Sequence, residues 1–166
     1  MLQLTRCGGS TVNDPDLQDS PRLMISSPDL SGGTLPREFT CDGANRLPRL
    51  EWSTPPSGTR ELAVEMVDPD APRGLFTHWL VYGIPPSVSS LATLPAGVTE
   101  GVNDFGRAGY GGPCPPRGPA HHYHFLVFAL DTRLGLAAGA TRSDLESRIS
   151  GHVIGKGELV ATYQRA

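Results

Sequence analysis

Lysine is almost missing from this 166-residue chain: Lys156 is the only one, so the basic side is nearly all arginine, a pattern read first as codon bias. A net charge of −3 leaves no electrostatic footprint for nucleic acid. No apolar run comes near the roughly 18 residues that a membrane-spanning helix needs, so no transmembrane segment is predicted. The N-terminal stretch also lacks the apolar core of a secretory signal, and the expectation for the chain as given is a cytoplasmic address. Leu4-Thr5-Arg6-Cys7 has the outline of a lipoprotein cleavage site. No apolar segment precedes it, however, and Arg6 stands where a small residue belongs, so Cys7 reads as incidental. Gly-x-Ser-x-Gly is absent too, and Ser53, Ser57 and Ser87 lie in Pro-rich loops, which leaves no recognisable nucleophile motif and argues against an enzyme.

What is present is glycine and proline, 20 and 16 of them, spread so that long helices are hard to place before residue 140. Residues 1–22 have mixed polar composition, with Asn13-Asp14-Pro15-Asp16 and Ser20-Pro21 as punctuation, and are predicted to be a flexible extension. Residues 23–166 are predicted to form a single domain. Within it Leu62 to Val67, Trp79 to Ile84 and Tyr123 to Leu130 are short apolar runs of the kind that become buried strands. One helix is predicted over 141–149: Thr141 can cap it, Asp144 follows three residues on, and Leu145 and Ile149 share a face. Gly151 would end it, and Glu158 to Tyr163 would form a last strand. The fold class is therefore all-β, two packed antiparallel sheets with a short C-terminal helix.

The chemistry-bearing residues cluster in a few motifs: Asp68-Pro69-Asp70-Ala71-Pro72, His78-Trp79, Gly-Tyr-Gly-Gly-Pro-Cys-Pro-Pro over 109–116, and His121-His122-Tyr123. Two carboxylates, histidines, a tyrosine and a stiff Gly/Pro loop are materials for a polar pocket assembled from distant segments. Strand alternation puts His121 and Tyr123 on one face of their strand and His122 and His124 on the other. The same split disfavours a metal site built from His78, His121, His122 and His124, and no cofactor is called for. Read singly, Asp68 and Asp70 are also ordinary turn residues, and His78 an ordinary hydrogen-bonded histidine.

Together with Phe39-Thr40-Cys41-Asp42-Gly43 and the ending Gly-Glu-Leu-Val-Ala-Thr-Tyr over 157–163, these motifs resemble the phosphatidylethanolamine-binding protein family, the family of the Raf kinase inhibitor protein, in its bacterial and archaeal branch. Order and spacing fit from about Met24 to Tyr163. One departure is His122, where the family usually has Arg. The resemblance implies a β-sandwich and a pocket for a small anion or phospholipid headgroup lined by Asp68, Asp70, His78, Tyr110, Gly112, Pro115, Pro116, His121 and Tyr123. On this reading Asp68 and Asp70 orient His78, Gly111 and Gly112 N–H groups cradle the anion, and Ala71–Pro72 is a cis bond. It also implies that Cys41 and Cys114 lie close together near the pocket mouth, with free thiols expected for a cytoplasmic chain. Three functional classes stay open: a module binding a phosphate-type ligand, an inhibitor of a protease or kinase, and a hydrolase using Asp and His.

Overall fold

The computed structural model describes residues 20–166, and in these the chain forms eight strands and one α-helix. They run in the order β1 (Ile25–Ser26), β2 (Leu50–Trp52), β3 (Glu61–Asp68), β4 (Phe76–Ile84), β5 (Ser90–Leu91), β6 (Thr99–Glu100), β7 (His121–Leu130), α1 (Arg142–Ile149) and β8 (Val153–Tyr163). The short strands make a three-stranded sheet ordered β1-β2-β5. The long ones make a five-stranded sheet ordered β6-β4-β3-β7-β8, with antiparallel pairing throughout. Of the stretch 1–22, residues 1–19 fall outside the described residues, and Arg22 bridges to Lys156 on β8.

Alternation along the long strands feeds two cores. Leu62, Val64, Met66, Trp79, Val81, Tyr123, Phe125 and Val127 face the small sheet and pack with Leu50, Trp52 and Leu91. Ala63, Val67, Leu80, Tyr82, Leu126, Phe128 and Leu130 face the other way and meet Leu134, Leu145 and Ile149. Both faces of the large sheet are thus covered, which is why every residue of β3 is buried. At about 1.5–3 kcal/mol for each large apolar side chain fully buried, these two layers dominate the stability of the domain.

Helix α1 starts as its sequence dictates. The Thr141 side chain accepts from the Asp144 N–H, and the Asp144 carboxylate accepts from the Thr141 N–H at 2.8 Å, a complete capping box. Gly151, at φ 77°, lies just beyond the last turn, and Leu145 and Ile149 are buried against the sheet. Strand β8 begins earlier than expected, at Val153. Its Gly155 and Gly157 hide the strand from composition but are needed there, since a Cβ would sit 2.8 Å from the Pro56 ring and 2.5 Å from the Leu23 carbonyl oxygen respectively.

Helix and sheet are also joined by charge. Glu65, 1% exposed in mid-β3, receives the Arg142 Nε at 3.3 Å on one oxygen, while its other oxygen has no hydrogen-bond partner. Burial pushes the Glu65 carboxyl up to about 7, against the opposing pull of Arg142. Because the folded state holds this proton more tightly than the unfolded chain, the penalty is absent below about pH 4.5 and grows as the pH climbs to about 7. Glu65→Gln should therefore match the wild type at pH 4.5 and exceed it by up to about 3 kcal/mol at pH 8. Urea unfolding of both proteins at the two pH values checks this; the same stability difference at both would refute it.

Candidate functional site

Strand β3 runs antiparallel to both its neighbours, so its C-terminal end meets the N-terminal ends of β4 and β7. A cavity of about 150 Å³ opens there, with Asp68, His78, His121 and Tyr123 on its strand side. Ala71 and Pro72, Phe105, and Cys114 with Pro115 and Pro116 close it from three loops, and Phe76 completes the lining.

His121 is fixed by a carboxylate. Its Nδ1 lies 2.7 Å from Asp68 Oδ2, both side chains being buried, and Asp68 Oδ1 accepts the Asp70 N–H at 2.8 Å. A carboxylate can only accept, so Nδ1 carries the proton and Nε2 is the ring nitrogen left for the cavity. His78 is fixed by main chain instead: Nδ1 donates to the Gly111 carbonyl at 2.6 Å, which again leaves Nε2 uncommitted. Burial holds the His78 pKa below the usual histidine value, although the Gly111 carbonyl and the Asp68 charge act in the other direction. Between the two imidazoles stands Tyr123, its ring edge-on to His78 at 5.2 Å and stacked with His121 at 6.5 Å. Its hydroxyl is buried without a hydrogen-bond partner, and burial, then the Asp68 charge, push its pKa well above the ordinary tyrosine value.

His78 reaches this cavity through a fault in the ladder. The β3–β4 register steps from Met66↔Trp79 to Val67↔Thr77, leaving His78 as the surplus residue of a β-bulge. Strict alternation would have sent it to the helix side with Leu80 and Tyr82. The bulge keeps it instead on the side of Trp79 and Tyr123.

Of the residues singled out from sequence, Asp68, His78, Pro115, Pro116, His121 and Tyr123 line the cavity, and Asp70, Tyr110 and Gly112 do not. Asp70 is exposed and accepts both the backbone N–H and Nδ1 of His122, at 2.8 and 2.7 Å. Desolvation raises its pKa, but the bonds from His122 outweigh this and hold it below the usual carboxylate range. The expectation that Asp68 and Asp70 orient His78 is corrected: both carboxylates are engaged by β7, and Gly111 holds His78. The N–H groups of Gly111 and Gly112 are not an anion cradle either, because they donate to the His78 carbonyl at 3.0 Å and to Asn45 Oδ1 at 2.8 Å. Glycine is required at Gly112 for close packing, since a Cβ there would fall 2.4 Å from the Phe39 carbonyl oxygen, and at Gly111 a Cβ would fall 2.5 Å from the Phe105 ring. Tyr110 donates to the Phe39 carbonyl at 2.8 Å, which ties the wall of the cavity to the neighbouring loop.

Two further corrections concern the loops. The Ala71–Pro72 bond is trans, in a turn closed by the Gly74 N–H donating to the Ala71 carbonyl at 3.0 Å. Cys41 and Cys114 are joined as a disulfide rather than held as free thiols. The Cys41 N–H donates to the Pro113 carbonyl at 3.0 Å, and this tie brings the two Cα atoms to 5.4 Å, within bridging range.

Phe76 and Phe105 were missed. They pack edge to face at 4.8 Å, and Phe105, 42% exposed, also meets the His78 ring at 5.4 Å. Phe76 stands two residues before His78 in one strand, and Phe105 is an aromatic at the tip of the polar turn Asn103-Asp104-Phe105-Gly106; either pattern was a usable signal.

With this geometry in hand, likeness to known proteins becomes informative. Residues 26–164 match the family described as phosphatidylethanolamine-binding protein. The UPF0098 protein of Aquifex aeolicus is 44% identical over 143 residues, 81% of this chain and 84% of that one. A Mycobacterium tuberculosis relative named as a candidate lipoprotein, LppC, is 43% identical over 146 residues, 86% of this chain and 72% of that one. Among solved structures, Escherichia coli YbcL, titled a new member of the mammalian PEBP family, superposes with a TM-score of 0.80 at 33% identity, covering 87% of this chain and 99% of that one. Among the described residues no helix is long and apolar enough to cross a membrane. The family match and these relatives cover most of the chain, which thus belongs to the phosphatidylethanolamine-binding protein family.

Proposed function

We propose that the cavity at the ends of β3, β4 and β7 binds a small phosphate-type anion, free or as the headgroup of a phospholipid, and that the protein acts as a ligand-binding module. The observation that carries this reading is the Tyr123 hydroxyl, a buried donor without a partner. Tyr123 lines the same cavity as two histidines whose Nδ1 atoms are already engaged. A buried hydroxyl left unpaired costs about 1–3 kcal/mol, a cost that a bound oxyanion relieves. Size supports the same class: about 150 Å³ is small beside the roughly 300–1,000 Å³ of pockets that enclose whole drug-sized ligands. The exposed Phe105 in the cavity lining offers apolar surface for whatever the anion is attached to.

Hydrolysis is a second reading, favoured by one observation, the buried Asp68–His121 pair, which is the arrangement that makes an imidazole a general base toward water. Among the described residues no serine or free thiol lines the cavity, since Cys114 is in a disulfide. Release of phosphate from phosphoethanolamine by the purified protein would select this reading over simple binding.

The two histidines generate a test of the site. A hydrogen bond to a charged group is worth about 1.5–3 kcal/mol, so losing the His121 contact with the anion in His121→Ala should weaken phosphate or phosphoethanolamine binding by roughly ten-fold or more. His122→Ala, whose ring hangs on Asp70 outside the cavity, should change it little. Titration calorimetry on the three proteins decides it, and equal losses, or no saturable binding by the wild type, would sink the assignment.

Protonation gives a second test. A neutral His78 turns a lone pair on Nε2 toward the cavity, so an anion binds with proton uptake and raises a pKa that burial had lowered. Affinity for sulfate, a dianion throughout, should therefore increase as the pH falls from 8 to 5, by at most about ten-fold per pH unit for each proton taken up. His78→Gln should flatten the profile. A wild-type affinity independent of pH would show that no imidazole protonates on binding.

A further inference from the structure

A larger cavity, of about 390 Å³, lies at the other end of the same central strands. Arg60 immediately precedes β3 and Arg133 follows β7 by three residues. Because these strands are antiparallel neighbours, with the Arg60 N–H donating to the Leu130 carbonyl at 2.7 Å, both arginines fall on one rim. The end of β4 and the turn after it, from Gly83 to Pro86, form the facing wall. The volume falls within the roughly 300–1,000 Å³ of small-molecule sites.

The walls are held by a buried carboxylate. Glu61, 6% exposed, accepts the Gly83 N–H on one oxygen at 2.8 Å and the Leu134 N–H on the other at 2.9 Å. One side chain thereby braces the β4 wall against the segment that carries Arg133, a fixed separation of the kind a preformed site needs. The arginines themselves are uncommitted. Both are exposed, have no carboxylate within 4 Å and make no side-chain hydrogen bond among the described residues. Two guanidinium groups thus outweigh the single buried carboxylate, and Pro85, Pro86 and Leu136 supply apolar surface in the same cavity.

We propose that this cavity is a second ligand site, for a small organic anion with a flat apolar body. The acid group sits on the Arg60 and Arg133 guanidinium groups, which bind phosphate or carboxylate through paired N–H donors. The body lies against Pro85, Pro86 and Leu136. The site is independent of the histidine cavity and stands or falls separately from it.

Phenyl phosphate is a suitable probe, followed by the backbone amide signals of Gly83, Leu134 and Gly135 in a two-dimensional nitrogen–proton NMR spectrum. The expected result is saturable shifts of these amides in the wild type, retained in His121→Ala and weakened about ten-fold or more in the double variant Arg60→Gln, Arg133→Gln. Phenol, which keeps the body and loses the charge, should leave them unmoved. No saturable shift at these amides, an unchanged affinity in the double variant, or equal shifts with phenol would each overturn the proposal. The phenol comparison needs only the wild type, so it holds even if the double variant fails to fold.

Discussion

Burial of β3 on both edges and both faces is the constraint from which the rest of the molecule follows. Hydrogen-bonded to β4 and β7 and covered by the small sheet on one side and by α1 on the other, this strand cannot expose any of its eight residues. Three of them are carboxylates, and burying a charge requires a partner for it. Each has found a different one. Glu61 accepts two main-chain N–H groups, Glu65 takes the Arg142 guanidinium on one oxygen and leaves the other unpaired, and Asp68 takes the His121 imidazole with the Asp70 N–H. Those partners hold a cavity wall, dock the helix and orient a histidine. The polar architecture is in large part the solution to one electrostatic problem posed at three points along one strand.

The sequence was most informative where a local rule acts alone. The capping box at Thr141 and Asp144, the paired burial of Leu145 and Ile149, and the division of His121 and Tyr123 from His122 along β7 all follow from short-range geometry. It was least informative where two distant segments decide the outcome together. Gly155 and Gly157 look like turn residues until Pro56 and Leu23 are seen pressed against them. Gly111 and Gly112 look like an anion cradle until their N–H groups are traced to His78 and Asn45. In both cases glycine marks a close approach by another part of the chain, and a single sequence does not say whose.

The candidate site divides along the same line. Its membership was legible because the motifs carry it, and six of nine chosen residues line the cavity. Its wiring was not. Asp68 turned out to serve His121, Gly111 to serve His78, and Asp70 to serve His122. Residue type states what a side chain is able to bond, but the choice among able partners is made by register.

The β-bulge at His78 makes this site an insertion in the literal sense. One surplus residue in β4 turns the imidazole from the helix layer to the cavity, while the pairs on either side, Met66↔Trp79 and Val67↔Thr77, keep the ladder intact. The placement of one imidazole at the cavity is thereby set by a miscount of one in the β3–β4 ladder.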